Sequence, residues 1–222
     1  TFLVIAHCIV KDNKIIEEWL VRDNYALAEE LGFDVHQVAR EKAAIPIQQR
    51  LKDWNQSELN RVQKSVTHER QPFLACSSND SEGFIEALLQ NIWNARLLGD
   101  VFQSYSDDAL LHCSRNQTLK GREEIAAFYA QIIGTVTQLK FSHDYCCSRP
   151  NDNGGQDVAV RWTITGNHGG AGLYGEPTGA PLLILGESQF RIIDGLIAEE
   201  WTIFDELSIL VQIYRARLNI AD

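Results

Sequence analysis

Glu200 lies in a stretch that reads as a β-strand, Leu196 to Phe204, where alternation puts residues 198, 200 and 202 on one face. If that face lines a dry apolar pocket, burial disfavours the charged form and raises the pKa. Such a carboxylate suits the removal of a proton next to a carbonyl. On an outer face the same group is a solvated side chain, and its reappearance as Glu18, in a segment that need not be active, agrees with that account. His168, in the glycine-rich stretch Gly166-Asn167-His168-Gly169, and His112, on a short strand, are the candidate polar partners. His168 could equally be a solvated loop residue near a pocket mouth, and His112 a satisfied core residue. Trp93, Tyr105, Phe128, Tyr129, Trp162 and Trp201 could form a core or a ligand cage, roles that overlap in a hollow domain. Asp205, repeated as Asp23, stands where a strand passes to a helix and is explained as an N-cap.

These groups need a complete small domain to position them, and one begins at Ser81. Ser81 can cap a helix with Phe84, Ile85, Leu88, Leu89, Ile92 and Trp93 at helical spacing, stopped by Gly99. A short helix from Asp100 through Tyr105 follows, then a brief strand, Ala109 to Cys113. Gly121 precedes a helix with Ile125, Phe128, Tyr129 and Ile132 facing inward. After Gly134 the period changes to two, and Phe141–Cys147, Val158–Thr165, Leu182–Ile193 and Leu196–Phe204 read as strands. Asn153-Gly154-Gly155 and Asp194-Gly195 supply turns. Helices followed by an antiparallel sheet make an α+β domain, in which a strongly bent sheet closed by helices encloses a hydrophobic pocket.

Residues 12 to 23 return as residues 194 to 205, matching at Asp12, Ile15, Glu17, Glu18, Trp19 and Asp23, where chance would match about one of the twelve. Residues 3 to 10 and 15 to 21 therefore read as a strand hairpin, followed by a helix capped by Asp23 and ending at Gly32. The repeat implies duplicated units, with residues 1–34 the end of a first one and 81–222 a complete second. The sequence then starts inside its first repeat. It also has no methionine where about five are usual, so upstream sequence is missing or methionines have been dropped. Residues 35–80, rich in Gln, Lys, Arg and Glu and interrupted at Pro46 and Pro72, read as a solvated helical connection.

With 45% hydrophobic and 23% charged residues, the chain can bury an ordinary core. A formal charge of -10 and the absence of a basic, aromatic-rich cluster exclude nucleic acid as a partner. No apolar run reaches the roughly 18 residues that span a bilayer. The five cysteines lack metal or redox spacing and suit reduced thiols in a cytoplasm, which makes the sequons at Asn55 and Asn116 chance matches. No metal or cofactor is expected: the His, Cys and carboxylates are too scattered, and Gly169-Gly170-Ala171-Gly172 lacks the context of a phosphate loop.

Read in order, Trp93-Asn94-Ala95-Arg96, His112, Leu119-Lys120-Gly121-Arg122-Glu123, Val160-Arg161-Trp162, Gly166-Asn167-His168-Gly169, Pro177-Thr178-Gly179, Phe190-Arg191 and the run Asp194 to Trp201 resemble the SnoaL-like polyketide cyclases, or ester cyclases. The resemblance spans residues 81 to 217 and implies a nuclear transport factor 2-like α+β cone, here duplicated. It also implies cofactor-free ring closure of a small, largely apolar carbonyl compound by a tuned acid/base pair. At the family's acid/base positions this chain has Ser188 and Thr202, and the first repeat has Ala6 and Leu20. Glu200 is the nearest substitute. Two functions follow as expectations. One is a cyclase or isomerase with Glu200 as base, His168 or His112 beside it, and Trp93, Tyr129, Trp162, Ser188 and Thr202 around the ligand. The other is a catalytically silent binding or assembly module. Cones of this kind commonly pair face to face, so the sheet's outer face should be covered by the first repeat or by a second chain in a homodimer.

Overall fold

The computed structural model describes residues 2–65, 69–72, 74, 76, 80–152 and 154–218. Strands β1 (Val4–Lys11) and β2 (Lys14–Arg22) form a hairpin whose two turn residues, Asp12 and Asn13, both have positive φ. Asp and Asn tolerate that conformation, which matches the twist of paired strands. Helix α1 (Asn24–Glu30) is capped by Asp23, which accepts from the Ala26 N–H. Helices α2 (Val35–Ala43) and α3 (Gln49–Ser65) follow on either side of Pro46. The remainder runs α4 (Ser81–Trp93), α5 (Gly99–Ser104), β3 (Tyr105–Cys113), β4 (Gln117–Lys120), α6 (Arg122–Thr135), β5 (Val136–Pro150), β6 (Gln156–His168), β7 (Pro181–Ile193), β8 (Leu196–Phe204) and α7 (Glu206–Arg217).

Six strands form one sheet in the order β4-β3-β8-β7-β6-β5. The sheet is mixed, not wholly antiparallel as expected, because β3 and β8 run parallel. From β3 the chain leaves through β4 and α6 to the far edge, then returns by hairpins, arriving beside β3 in the same direction. Register shifts in β3, β5 and β7 bend the sheet around α4 and α6. Phe84, Ile85, Leu88, Leu89, Ile92 and Trp93 of α4 and Ile125, Tyr129 and Ile132 of α6 fill the concave side.

Several boundaries differ from the sequence reading. Asp80, not Ser81, caps α4, accepting from the Gly83 N–H. The helix stops at Trp93, well before Gly99, because the Asn94 side chain bonds both to Phe141 O and from Phe141 N–H at 2.8 Å, tying the chain to β5. Gly99 instead opens α5, and Tyr105 begins a strand. The turn expected at Asn153 lies partly outside the described residues. Residues 35–65 are not a solvated spacer. Val35, Ala39 and Ala43 of α2 are buried, and Arg215 of α7 donates to Ile45 O at 2.7 Å. On α3, Arg61 reaches Asp144, Ser142 and Thr163 on β5 and β6. These polar helices dock through small residues and long side chains, so their composition concealed their burial.

The β1–β2 hairpin lies over the outer face of β7 and β8. The Arg161 guanidinium stacks 4.1 Å from the Trp19 ring. Pair by pair, the hairpin register repeats that of β7–β8 at the same offset: Ala6 faces Leu20 as Ser188 faces Thr202, and Cys8 faces Glu18 as Phe190 faces Glu200. The irregularity between Ile9 and Val10 matches that between Arg191 and Ile192. The positive-φ turn and the Asp23 and Asp205 caps correspond as well.

Candidate functional site

Glu200 sits mid-strand in β8, flanked in register by Phe190 of β7 and Leu111 of β3, and is 0% exposed. Strand alternation turns Glu200, Thr202 and Ser188 into the cone and sends Glu199 and Trp201 to the opposite face. Three hydroxyls reach the carboxylate. Tyr105 donates to Oε2 at 2.6 Å, Tyr129 to Oε1 at 2.9 Å, and the Thr202 hydroxyl also donates to Oε1. Behind Thr202, Ser188 lies at 2.7 Å, and Trp162 Nε1 donates to Ser188 at 2.9 Å. The network thus runs from an indole through two hydroxyls to a carboxylate held by two phenols, all of it buried.

The side chains packed around this network are aromatic. Trp93 meets Tyr129 edge-on at 5.0 Å between ring centroids and stacks on Phe141 at 6.1 Å, while Trp162 tilts against Phe204 at 6.1 Å. Gly186 makes room for the Trp162 ring, since a Cβ there would fall 2.1 Å from it. Burial among these rings pushes the Glu200 pKa upward, and the Thr202, Tyr105 and Tyr129 hydroxyls pull it back only in part. Burial and the Glu200 charge hold both tyrosines well above their ordinary range, and push the nearby Cys113 thiol up to about 12.

An ionised Glu200 uses all three hydroxyls as donors. When it takes up a proton, one tyrosine must turn its O–H away, and the other phenol oxygen stands 3.2 Å off to receive it. The site can therefore change protonation state without leaving a buried donor unpaired.

Neither histidine belongs to this network. His168 is not in a mobile loop: it ends β6, is 0% exposed, and its Nδ1 lies 3.1 Å from the Thr178 hydroxyl. Burial, then the charge of Arg217, lowers its pKa. His112 lies across β8 from Glu200, with Nδ1 3.0 Å from Thr118 and Nε2 3.0 Å from Glu199, and stacks on Trp201. Asp205 is an N-cap, accepting from the Ser208 N–H at 3.1 Å and from Asn24 at 2.8 Å. In the sequence Tyr105 stands out only as one aromatic among several. No local spacing links it to Glu200, because the two meet through the parallel β3–β8 ladder. No group of three or more potential metal ligands occurs among the described residues. Nor is any described helix long and apolar enough to cross a membrane.

Solved structures share this cone. A protein of Jannaschia sp. CCS1 described as a SnoaL-like polyketide cyclase aligns over 66% of this chain and 96% of its own, with TM-score 0.51 and 17% identity. AclR of Streptomyces galilaeus, described as a hydroxylase, aligns over 63% of this chain and 87% of its own (TM-score 0.52, 17% identity). IdmH of Streptomyces antibioticus, described as a polyketide cyclase, aligns over 60% and 97% (TM-score 0.50, 20% identity). At these identities the likeness concerns the fold. No curated protein matches the chain. The family model for SnoaL-like polyketide cyclases matches residues 85–213, from the second turn of α4 to the body of α7 and so over more than half of the chain. By that match, and with the same cone beneath it, the chain belongs to the SnoaL-like polyketide cyclase family.

Proposed function

We propose that the cone binds a small, largely apolar carbonyl compound and transfers a proton at the carbon beside that carbonyl without a cofactor. Glu200 is the acid/base group, and Tyr105 and Tyr129 are the hydrogen-bond donors. One observation carries this reading: a carboxylate cut off from water is held by two buried phenols inside an aromatic enclosure. A base with a raised pKa is matched to a weakly acidic C–H bond, and a phenol released from the carboxylate can stabilise an enolate oxygen. Returning the proton to another carbon completes an isomerisation. Attack of the enolate carbon on a second carbonyl of the same molecule closes a ring. Neighbours described as polyketide cyclases agree with this reaction class.

The test is deuterium exchange in D₂O at the α-carbon of a panel of apolar β-keto esters, followed by NMR. Glu200→Gln should slow exchange by at least about 100-fold with an unchanged circular dichroism spectrum. Tyr105→Phe removes a donor to the charged carboxylate, so its pH–rate profile should move to higher pH. Exchange no faster than background in the native protein, or undiminished in Glu200→Gln, refutes the reading. A silent binding module is favoured instead by Ser188 and Thr202 at the family's acid/base positions, and it would bind such esters without exchanging them.

We also infer that residues 1–33 and 183–215 are two copies of one unit packed outer face to outer face within the chain. The support is the shared register, irregularity, turn and cap.

A further inference from the structure

The outer face of the sheet borders a half-open cleft on the side away from Glu200. The cleft, of about 1410 Å³, runs between this face and the first 65 residues. Small-molecule sites ordinarily occupy about 300–1,000 Å³, so the volume accommodates a whole ligand. Leu20, Leu31, Phe33 and Leu51 form one side, and Leu185 and Val211 belong to the other. The first four are large apolar side chains 38%, 63%, 57% and 49% exposed, gathered around a single concavity. A patch of that kind marks a binding surface more often than idle surface.

Several polar groups interrupt the apolar lining on the sheet side, Asp144, Arg161, Thr163 and Glu187 among them. Glu187 of β7 and Arg161 of β6 are ladder partners, and both line the cleft. Glu187 is 0% exposed, yet neither carboxyl oxygen has a hydrogen-bond partner among the described residues, and Arg161 Nε also has none. The guanidinium also stacks on Trp19 and contacts Glu17 through Nη1 at 3.7 Å, so its Nε is the open donor. Buried polar groups are nearly always satisfied, so an open carboxyl and an open Nε beside a cleft indicate a group that would complete them. Burial pushes Glu187 up to about 8 against the pull of Arg161, which makes it a neutral carboxyl, able to donate, at pH 7. Arg161 donates only. The pair therefore favours a ligand head that accepts. An ammonium head would meet the Arg161 charge and find the Trp19 ring already covered by that guanidinium.

We propose that this cleft binds an aliphatic carboxylic acid, its chain lying along Leu20, Leu31, Phe33 and Leu185 and its carboxylate held by Arg161 and Glu187. The site is independent of the acid/base reading, because Glu187 and Ser188 are successive strand residues facing opposite sides of the sheet.

The experiment titrates the full chain with laurate, dodecanol and dodecylamine below their micellar concentrations. Calorimetry and the fluorescence of Trp19 and Trp54, which line the cleft, report binding. Laurate should bind one to one with a Kd on the order of 10 μM, at least about tenfold tighter than dodecylamine. Leu185→Trp, which fills the cleft while keeping both polar groups, should weaken laurate at least about tenfold and leave deuterium exchange of the β-keto esters intact. Arg161→Gln should weaken it comparably, and Glu200→Gln should leave it unchanged. No saturable binding up to about 1 mM, equal affinity for the amine, or full affinity in a folded Leu185→Trp protein overturns the proposal. Loss of laurate binding in Glu200→Gln overturns it as well, since the acid would then occupy the cone. So does a dimer by sedimentation that closes the cleft and is indifferent to laurate.

Discussion

Glu200 and Glu187 lie on adjacent strands and face opposite sides of the same sheet, both cut off from water, and differ in what surrounds the carboxyl. Three hydroxyls compensate Glu200, whereas Glu187 has only the field of Arg161. For Glu187 the sign of the linkage follows from a folded pKa of about 8 against an unfolded value of 4.5. Between those values the folded state binds more protons, so this group makes stability fall as pH rises towards 8, with no further change above it. Glu187→Gln should therefore be nearly neutral at pH 5 and stabilising by about 1–3 kcal/mol at pH 9, read from urea midpoints at the two pH values. A midpoint difference independent of pH would mean that Glu187 is already ionised in the fold. At this scale the chain showed that Glu200 and Thr202 share one strand face, and the family resemblance set Tyr129, Trp162 and Ser188 near them; the bonds themselves were not legible, because most of a carboxyl's partners come from other elements.

At the scale of elements, the two aspartate caps do unequal work. Asp205 accepts from Ser208 N–H and the Asn24 amide at the start of α7. Asp23 caps α1 through Ala26, and its Oδ2 also accepts from the backbone N–H of Arg115 and Asn116 in the β3–β4 turn. Both turn residues have positive φ, and neither is glycine, so the aspartate helps hold a turn that is not inherently favoured. Asp205→Ala should cost about 1 kcal/mol, as an ordinary cap does, and Asp23→Ala about 2–3 kcal/mol, since it removes the acceptor that the Ala26 and Arg115 N–H groups share with Asn116. Equal losses in denaturant midpoint would show that the turn does not depend on Asp23. The sequence announced both caps, because capping is local chemistry. It misplaced the α4 cap by one residue, choosing Ser81 where Asp80 competes for the same backbone donors, and missed β4, whose four residues carry too little periodicity.

For the whole molecule, the question is how the first 65 residues are held to the cone. The hairpin rests on the outer sheet face mainly through Trp19 under Arg161, the Glu17–Arg161 contact at 3.7 Å, and His7 edge-on to Tyr145. Such a contact zone is small beside the continuous ladders of β5 to β8. Trp19→Ala should therefore loosen the hairpin alone. Amide hydrogen exchange across residues 4–22 should quicken about 10- to 100-fold while β6–β8 keep their protection. If protection falls equally in both regions, the chain folds as one cooperative unit.

The sequence by itself determined the α+β order of elements, the alternation that puts residues 198, 200 and 202 on one face of β8, the β1–β2 hairpin, and the Asp23 and Asp205 caps. Each of these is written in spacing and in residues a few positions apart, where local propensity and alternation act. Only the tertiary structure decided that Tyr105 and Tyr129 hold Glu200, that His168 and His112 stand apart from it, and that polar helices α2 and α3 dock onto the cone. Those outcomes depend on strand order and on the parallel meeting of β3 with β8, which bring together side chains nearly a hundred residues apart. No periodicity in a chain encodes which edge a returning strand will join.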